Sequence, residues 1–165
     1  MKRTAIYPGT FDPITLGHVD VVMRGLKLFD RIVIGVADNP NKGPLFDVDT
    51  RFAMVRETFA DEQQVEVTRF SGLLVDLAHH NHAYAILRGL RAASDFEYEF
   101  QMATMNRRLD AEIETAFVMA REDYTFVSSR FIREISSMGG DVSALVPVAV
   151  LSRLPQAAKP AISPI

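Results

Sequence analysis

The sequence predicts a single-domain α/β protein built on a Rossmann-like, doubly wound sheet of five parallel strands in the order 3-2-1-4-5. Three observations lead to this prediction. The 165 residues are 48% hydrophobic, which suits one domain with a substantial core. Short apolar or alternating runs alternate with longer helical stretches, at the spacing of right-handed βαβ crossovers. No repeat or linker divides the chain, so we expect one domain over residues 1–155 and a flexible, Pro-rich tail over residues 156–165.

The five strands are predicted from short runs that are apolar throughout or that alternate between apolar and polar residues. In chain order they are Thr4–Tyr7, Arg31–Ala37, Val65–Phe70, Ala85–Leu87 and Thr115–Met119. The predicted helices are Gly17–Phe29, Val48–Phe59, Leu73–His80, Ser94–Leu109, Ser128–Met138 and Pro147–Leu154. Each strand is followed by a helix, which is the pattern of an open parallel sheet.

Local signals mark several helix ends. Asp47 suits the N-cap of the second helix, and Ser94 with Glu97 forms a capping-box pattern at the start of the fourth. The histidines at 79–80 fall in the last turn of the third helix, where a cation suits the helix dipole. The glycine pair at 139–140 predicts the end of the fifth helix.

Composition and charge exclude several classes of protein. The net charge of -3 gives no basic surface for a nucleic-acid backbone, so we expect no nucleic-acid partner. The absence of cysteine excludes disulfides and thiolate zinc sites and fits a reducing cytoplasm. The first residues lack a signal-peptide core, and no apolar run approaches the length of a membrane span. We therefore expect a cytoplasmic protein without a membrane partner.

The loop after the first strand is the first candidate site. Ligands of such sheets bind at the carboxyl ends of the strands near the switch in strand order, here between strands 1 and 4. The loop "PGTFDPITLGH" ends with Gly17 and His18 at the start of a helix, whose free N–H groups suit a phosphate. The N-terminus of the helix disfavours the protonated form of His18, whereas a bound polyphosphate favours it. Either form of the ring can donate a hydrogen bond to an oxygen. A plain turn capped by the histidine is the alternative, and the length and position of the loop favour binding.

The loops after strands 4 and 5 also carry groups that suit phosphate. Arg88 and Arg91 flank a Gly-Leu pair, where planar guanidinium groups are placed to bind phosphate oxygens. Ser128 and Ser129 open a helix with hydroxyl groups and free amides. Surface arginines and serine caps are common, so neither signal is specific alone. Three such loops on neighbouring strands favour one shared anion site.

Other features leave two interpretations open. Lys42 is either a solvated loop residue or a cation that closes over phosphate when substrate binds. Met102 and Met105, one helical turn apart, either fill the core or line an apolar channel. The cluster "HHNH" at 79–82 lacks cysteine or a carboxylate pair, which favours a solvated helix end over a metal site. The chain has no P-loop motif and no Gly-x-Gly-x-x-Gly after strand 1, which argues against a P-loop ATPase and a dinucleotide dehydrogenase.

The segment "GTFDPITLGH" resembles the Thr/His-x-Gly-His signature of the nucleotidyltransferase superfamily, and "SSRFIR" resembles its second motif, Ser-Ser-Thr-x-Ile-Arg. With "LRGLRAASDFEYEFQMATMNRRL" and "GGDVSALVP", the sequence from about residue 3 to residue 150 resembles the bacterial phosphopantetheine adenylyltransferases. The segment "RGLR…DFEYE" separates that family from relatives acting on nicotinamide mononucleotide or glycerol phosphate, and Thr15 stands where the former would have histidine.

The resemblance implies a reaction and a set of site residues. AMP would pass reversibly from ATP to 4'-phosphopantetheine with Mg²⁺, by in-line attack without a covalent intermediate, giving dephospho-coenzyme A and pyrophosphate. The residues implied to hold ATP are Thr10, Phe11, His18, Gly89, Leu90, Arg91, Glu99, Tyr124, Thr125, Phe126, Val127, Ser128, Ser129 and Arg130. Those implied to hold phosphopantetheine are Thr10, Lys42, Leu74, Arg88, Met102, Met105 and Asn106. Thr10, Lys42 and Arg88 would orient the attacking phosphate, and His18 and Arg91 would stabilise the transition state and the leaving group.

The resemblance also implies an assembly, and it leaves alternatives. Members of this family usually form a homohexamer and are often restrained by coenzyme A. Arg130 stands where the family has a small hydroxyl residue, so it either adds a cation to the phosphate site or points away from it. A nucleotidyltransferase with another acceptor, and a non-catalytic nucleotide-binding sensor, remain the two rival functions.

Overall fold

A computed structural model describes residues 3–39 and 43–155, with the backbone alone at residues 93 and 94. Its five strands form one parallel sheet in the order β3-β2-β1-β4-β5, which confirms the predicted topology. The strands are β1 (Thr4–Gly9), β2 (Arg31–Ala37), β3 (Val65–Phe70), β4 (Ala85–Leu90) and β5 (Glu114–Met119). The helices are α1 (Leu16–Gly25), α2 (Val48–Thr58), α3 (Leu74–His80), α4 (Ala93–Leu109), α5 (Ser129–Ser137) and α6 (Val148–Leu151), with a short 3-10 turn at Glu122–Tyr124. The predicted tail, residues 156–165, lies outside the described residues.

Helices cover both faces of the sheet, because side chains of the central strands alternate between two hydrophobic cores. In β1, Tyr7 belongs to the larger core and Ile6 to the smaller one. The larger core also contains buried residues of α1, α2, α5 and α6, and the smaller core contains residues of α3. Because both faces of the sheet are buried, the sequences of these strands are nearly continuous runs of apolar residues.

β1 and β4 extend further than the sequence predicts, towards the carboxyl edge of the sheet. Pro8 and Gly9 pair with β2, so β1 continues past Tyr7. β4 continues through Arg88 to Leu90 because these residues pair with Phe117–Met119 of β5. Pairing with a neighbouring strand is a tertiary contact, which the local pattern cannot reveal. As a consequence, the candidate site residues at 88–90 lie on a strand and not in a flexible loop.

The helix-end predictions have mixed outcomes. The Asp47 cap is confirmed, since its carboxylate accepts a 2.7 Å hydrogen bond from the Thr50 amide. The glycine end of α5 is also confirmed, because Gly139 adopts a left-handed φ of 75° just after the last turn. The Ser94 capping box is wrong: α4 begins earlier, after an N-cap at Ala92 that makes no side-chain cap hydrogen bond. α1 ends at Gly25, four residues before its predicted end.

None of the helices within residues 3–39 and 43–155 combines the length and the hydropathy that a bilayer-spanning helix requires.

Candidate active site

A cavity of about 430 Å³ opens at the carboxyl ends of β1 and β4. It lies at the predicted switch in strand order, and the loops after β1, β4 and β5 form its walls. Nine of the residues implied to hold ATP line it: Thr10, Phe11, His18, Gly89, Arg91, Glu99, Val127, Ser128 and Ser129. The structure therefore brings together the three loops that the sequence singled out.

A second cavity, of about 240 Å³, adjoins the first. It is lined by five of the residues implied to hold phosphopantetheine: Thr10, Leu74, Arg88, Met102 and Asn106. Pro8, Gly9, Thr10, Arg88 and Glu99 line both cavities and thus mark the boundary between them. Two ligands, one in each cavity, would meet at these residues.

Some of the predicted site residues do not line either cavity. They are Leu90, Met105, Tyr124, Thr125, Phe126 and Arg130. The Arg130 side chain is 79% exposed and pairs with Glu134 at 3.0 Å, so it points away from the cavities. Met105 and Phe126 are also more than half exposed. Lys42 lies outside the described residues.

The loop after β1 is shaped by the buried ring of Phe11. This residue has a φ of 50°, a backbone conformation that is uncommon for a bulky side chain and is often found at functional sites. Its ring packs edge-on against Tyr7 and His18, with centroid distances of 5.6 and 5.2 Å. A Cβ atom at Gly9 would lie 2.8 Å from this ring, so only glycine fits there. The ring therefore fixes the position of His18 relative to β1.

His18 is held by a reciprocal capping box at the start of α1. Its Nδ1 accepts a 3.0 Å hydrogen bond from the Thr15 amide, and the Thr15 hydroxyl accepts one of 3.4 Å from the His18 amide. Because an amide donor occupies Nδ1, the neutral ring carries its proton on Nε2. The ring lines the larger cavity, and Nε2 has no partner among the described residues, so it is a hydrogen-bond donor available to a ligand.

Three influences keep this imidazole neutral. Burial, followed by the positive charges of Arg91 and Arg88, lowers the pKa of His18 to about 4. Protonation of Nδ1 would in addition remove its hydrogen bond with the Thr15 amide. The sequence left the charge state open; in the ligand-free protein the ring is a neutral donor at pH 7.

Arg88 is fixed at the boundary of the two cavities by Glu99 and by the backbone of β1. Its Nε and Nη2 donate to the two carboxylate oxygens of Glu99 at 2.7 and 2.5 Å, and its Nη1 donates to the Pro8 carbonyl at 3.0 Å. Although burial opposes it, the hydrogen bond and charge of Glu99 hold the pKa of Arg88 above its usual value. These bonds use three of the five N–H donors of a guanidinium, so a ligand anion can accept the other two.

Arg91 links the loop after β4 to the loop after β5. Its Nε donates to Asp95 at 3.1 Å, and its Nη1 donates to the Val127 carbonyl at 3.1 Å. Between the two arginines, Gly89 lets α1 approach β4, since a Cβ at this position would lie 2.6 Å from Val21. The close packing of α1 on β4 brings His18 and Arg91 to the same cavity.

Asp12 and Arg133 connect the loop after β1 to α5. The Arg133 guanidinium donates to the carbonyl of Asp12 at 2.5 Å and to its carboxylate at 3.1 Å. The same carboxylate accepts the amides of Leu45 and Phe46 at 2.8 and 2.9 Å. Ser129 adds a hydroxyl bond to the Pro13 carbonyl at 2.8 Å. The start of α5 and the segment before α2 are therefore tied to the first loop.

Arg51 of α2 supports the same loop from inside the protein. Its side chain is 1% exposed and donates only to carbonyl oxygens, those of Thr10 at 2.7 Å, Ala37 at 2.8 Å and Phe46 at 3.0 Å. These carbonyls belong to the loop after β1, the end of β2 and the segment before α2. Arg51 thus fixes the backbone of Thr10, the residue at the boundary of the two cavities.

The sequence reasoning missed several residues of this site, among them four that hold its loops together: Asp12, Arg51, Asp95 and Arg133. Spacing signals were present for three of them. Arg51 lies three and four residues before the buried Met54 and Val55, on the core face of α2. Asp95 lies four residues after Arg91, and Arg133 four residues after Ser129. Asp12 had no local signal, because its partners come from distant segments.

The acidic side chains at the cavities are all engaged by protein donors. Asp12 is bound by Arg133 and two amides, Asp95 by Arg91, and Glu99 by Arg88. Within residues 3–39 and 43–155, no group of three His, Cys, Asp or Glu side chains is arranged to hold a metal ion. His79, from the histidine cluster, pairs with Asp110.

Comparison with protein families gives a match over most of the chain. Residues 6–135 match the family model described as cytidylyltransferase-like. Several curated relatives carry the name phosphopantetheine adenylyltransferase. The protein from Anaeromyxobacter sp. (strain K) is 54% identical over 154 residues, which are 93% of this chain and 94% of that protein. The proteins from Thiobacillus denitrificans and Methylococcus capsulatus are 57% and 58% identical, over 92% and 89% of this chain and 94% and 91% of theirs.

Comparison with solved structures gives a similar fold. The crystal structure of the lipopolysaccharide core biosynthesis protein from Thermoplasma volcanium matches with a TM-score of 0.52 and 22% identity, over 73% of this chain and 98% of that one. At this identity the match supports the fold and carries no argument about activity.

Proposed function

The chain belongs to the cytidylyltransferase-like family and, within it, to the phosphopantetheine adenylyltransferases, and from this premise we propose the reaction that it catalyses. AMP is transferred reversibly from ATP to 4'-phosphopantetheine, giving dephospho-coenzyme A and pyrophosphate, the penultimate step of coenzyme A synthesis. The observation that carries this proposal is the pair of adjoining cavities with Thr10, Arg88 and Glu99 at their boundary. A transfer between two bound substrates requires such a meeting point.

In this proposal each substrate occupies one cavity. ATP lies in the larger one, among the loops after β1, β4 and β5, with its phosphates near His18, Arg91 and the start of α5. The pantetheine arm lies in the smaller one, which offers the apolar side chains of Leu74 and Met102 and the amide of Asn106. The phosphate at the end of that arm then faces the α-phosphate of ATP across the boundary.

The chemistry does not require a general base. A phosphate monoester has its second pKa near about 6, so the nucleophile is already an anion at neutral pH. The protein must hold two mutually repelling anions in line and stabilise the charge that develops on the α-phosphate and on the departing pyrophosphate. No covalent intermediate is needed.

The polar groups of the site divide between these two tasks. The free N–H donors of Arg88, together with Thr10, orient the attacking phosphate. Lys42, which lies outside the described residues, is proposed to assist them. The Nε2–H of His18 and the guanidinium of Arg91 stabilise the transition state and the leaving pyrophosphate.

Mg²⁺ is proposed to enter with ATP and not to occupy a site built by the protein. The carboxylates of Asp12, Asp95 and Glu99 are already bound to arginines, so they do not form a free oxygen cage for the ion. Mg²⁺ in phosphate chemistry is commonly held by substrate phosphates and water. We therefore assign it no protein ligand and no separate step.

The reaction is tested by the release of pyrophosphate from ATP with different acceptors. Purified protein is mixed with ATP, Mg²⁺ and either phosphopantetheine, nicotinamide mononucleotide or glycerol phosphate. We expect pyrophosphate to be released with phosphopantetheine and not with the other two acceptors. Release with another acceptor would identify a different nucleotidyltransferase, and ATP binding without release would identify a nucleotide sensor.

Arg88→Ala is expected to raise the KM for phosphopantetheine by more than the KM for ATP. Arg88 is the arginine that lines the smaller cavity as well as the larger one, whereas Arg91 and His18 line only the larger one and remain available to ATP. Steady-state kinetics with each substrate varied in turn measure the two values. Arg107→Ala removes an exposed arginine that pairs with Glu114 and is the matched control, with both values unchanged. Equal rises for both substrates in Arg88→Ala would contradict the assignment.

A cytoplasmic homohexamer that is restrained by coenzyme A is also part of the proposal. Two groups of exposed apolar side chains support self-association: Phe96, Phe100 and Met119 on α4 and β5, and Phe131, Ile135 and Met138 on and just after α5. A closed hexamer with dihedral symmetry needs two different contact surfaces. Coenzyme A contains both halves of the product, so it can span both cavities and compete with both substrates. Light scattering should give six times the 18.4 kDa of one chain, and coenzyme A should inhibit pyrophosphate release.

A further inference from the structure

Tyr7 lines the larger cavity, and the proposed reaction assigns it no role. It lies in the middle of β1 and is 5% exposed. Its ring packs edge-on against Phe11 at 5.6 Å, within the stack that also positions His18. The side chain lines the larger cavity and not the smaller one, so it belongs to the nucleotide side of the boundary.

The hydroxyl group of Tyr7 has no hydrogen-bond partner among the described residues. A buried tyrosine hydroxyl usually has one. Every side-chain nitrogen or oxygen that is fully enclosed within the described part of the chain does have a partner. The Tyr7 hydroxyl is therefore not enclosed but open to the cavity that its ring lines. A donor that is nearly buried, unpaired in the protein and open to a cavity is placed for a ligand.

The charges around this hydroxyl indicate the kind of ligand. Burial raises the pKa of Tyr7, and the attraction of Arg88 and Arg91 does not reverse this, so the phenol stays protonated. A neutral donor thus lies near two guanidinium groups that themselves retain donors. Phosphate oxygens are negatively charged and each accepts several hydrogen bonds, so two guanidinium groups beside a neutral donor favour a phosphate group over an uncharged sugar or base.

We propose that the Tyr7 hydroxyl donates a hydrogen bond to a phosphate oxygen of the nucleotide in the larger cavity, beside Arg88 and Arg91. This inference rests on the proposed function, because it takes ATP as the occupant of that cavity. Tyr7 is then a nucleotide-binding residue that adds a neutral donor to the phosphate site without adding charge. Phenylalanine at this position would keep the packing against Phe11 and lose only the donor.

The test compares ATP and adenosine as ligands of the Tyr7→Phe variant by isothermal titration calorimetry. A hydrogen bond to a charged group is worth enough for the Kd of ATP to rise by about tenfold when it is lost. Adenosine lacks phosphates, so its Kd should be unchanged. The KM for phosphopantetheine should also be unchanged, because Tyr7 does not line the smaller cavity.

Thermal unfolding separates this role from a structural one. Since the hydroxyl has no partner in the described protein, the Tm of the ligand-free variant should equal or exceed that of the wild type. Saturating ATP should raise this Tm by less than it raises that of the wild type, because stabilisation by a ligand depends on its Kd. Tyr84→Phe alters an exposed tyrosine that lies outside both cavities and whose ring is tilted by 56° against that of Phe29, so it should behave as the wild type in all measurements.

Several outcomes would overturn the inference. An unchanged Kd for ATP would show that the hydroxyl does not bind the nucleotide, and an equal loss for ATP and adenosine would place it at the nucleoside. A lowered Tm in the ligand-free variant would show that the hydroxyl serves the fold. The wild-type protein distinguishes a failure of this inference from a failure of the proposed function. If the proposed function were wrong, the wild type would release no pyrophosphate from ATP with phosphopantetheine.

Discussion

His18→Ala is expected to lower kcat by about 10²–10³-fold while changing the KM of either substrate much less. The neutral ring presents Nε2–H to the larger cavity, where charge develops as pyrophosphate departs. A donor aimed at that charge acts mainly in the transition state, so its loss appears in kcat. The measurement is pyrophosphate release at saturating ATP and phosphopantetheine. Turnover like that of the wild type in the folded variant would remove the role assigned to His18.

A matched variant tests whether an N–H donor is what His18 supplies. His18→Gln keeps an N–H donor on a side chain of similar reach, whereas His18→Ala removes both the donor and the bond with the Thr15 amide. We expect His18→Gln to retain more activity than His18→Ala. If the two variants lose kcat equally while both unfold at the wild-type temperature, the N–H donor is not what His18 supplies.

The protonation of His18 can be measured directly on the ligand-free protein. Nitrogen-15 NMR should report the tautomer with the proton on Nε2 and no titration step near pH 6.5, because the pKa of His18 is lowered to about 4. The unfolded chain takes up this proton at higher pH than the folded one. The contribution of His18 to stability is therefore complete above pH 6.5 and is lost as the pH falls towards 4. A titration step near pH 6.5 in the signals of His18 itself, in the folded protein, would contradict the neutral donor.

Arg51→Met is expected to lower the free energy of unfolding by about 3 kcal/mol or more, because each buried acceptor left without a partner costs about 1–3 kcal/mol. The carbonyls of Thr10, Ala37 and Phe46 would all lose the guanidinium. Such a loss is a large fraction of the stability of a typical domain. Urea unfolding followed by circular dichroism measures it.

Two further variants of α2 make the Arg51 result interpretable. Arg56→Met replaces an exposed arginine of the same helix, whose guanidinium carbon lies 5.8 Å from the centre of the Phe52 ring. This variant should lower the free energy of unfolding by less than about 0.5 kcal/mol. Arg51→Lys keeps the charge but offers one nitrogen to three separated carbonyls, so we expect an intermediate loss. An Arg51→Met protein as stable as the Arg56→Met control would show that the three carbonyls find other partners.

Much of the fold was predictable because it depends on local patterns and on chain connectivity. Alternating and apolar runs located all five strands, and β2 and β3 were placed with their observed bounds. Short crossovers between parallel strands then left few possible orders, and the predicted one was confirmed. The errors lie at element ends, such as the start of α4 at Ala93 and the end of α1 at Gly25, where tertiary packing competes with weak capping signals.

The sequence by itself determined the strand order, the edge of the sheet at which a ligand would bind, and the three segments near the ends of strands 1, 4 and 5 that bear His18, Arg88 and Ser128. These features follow from residue periodicity and from which loop follows which strand. Only the tertiary structure decided which atoms remain available to a ligand. Glu99 occupies one side of Arg88, the Thr15 amide occupies Nδ1 of His18, and the Tyr7 hydroxyl is left open to the cavity. Hydrogen bonds between distant segments depend on ångström-scale placement in space, which no local pattern along the chain encodes.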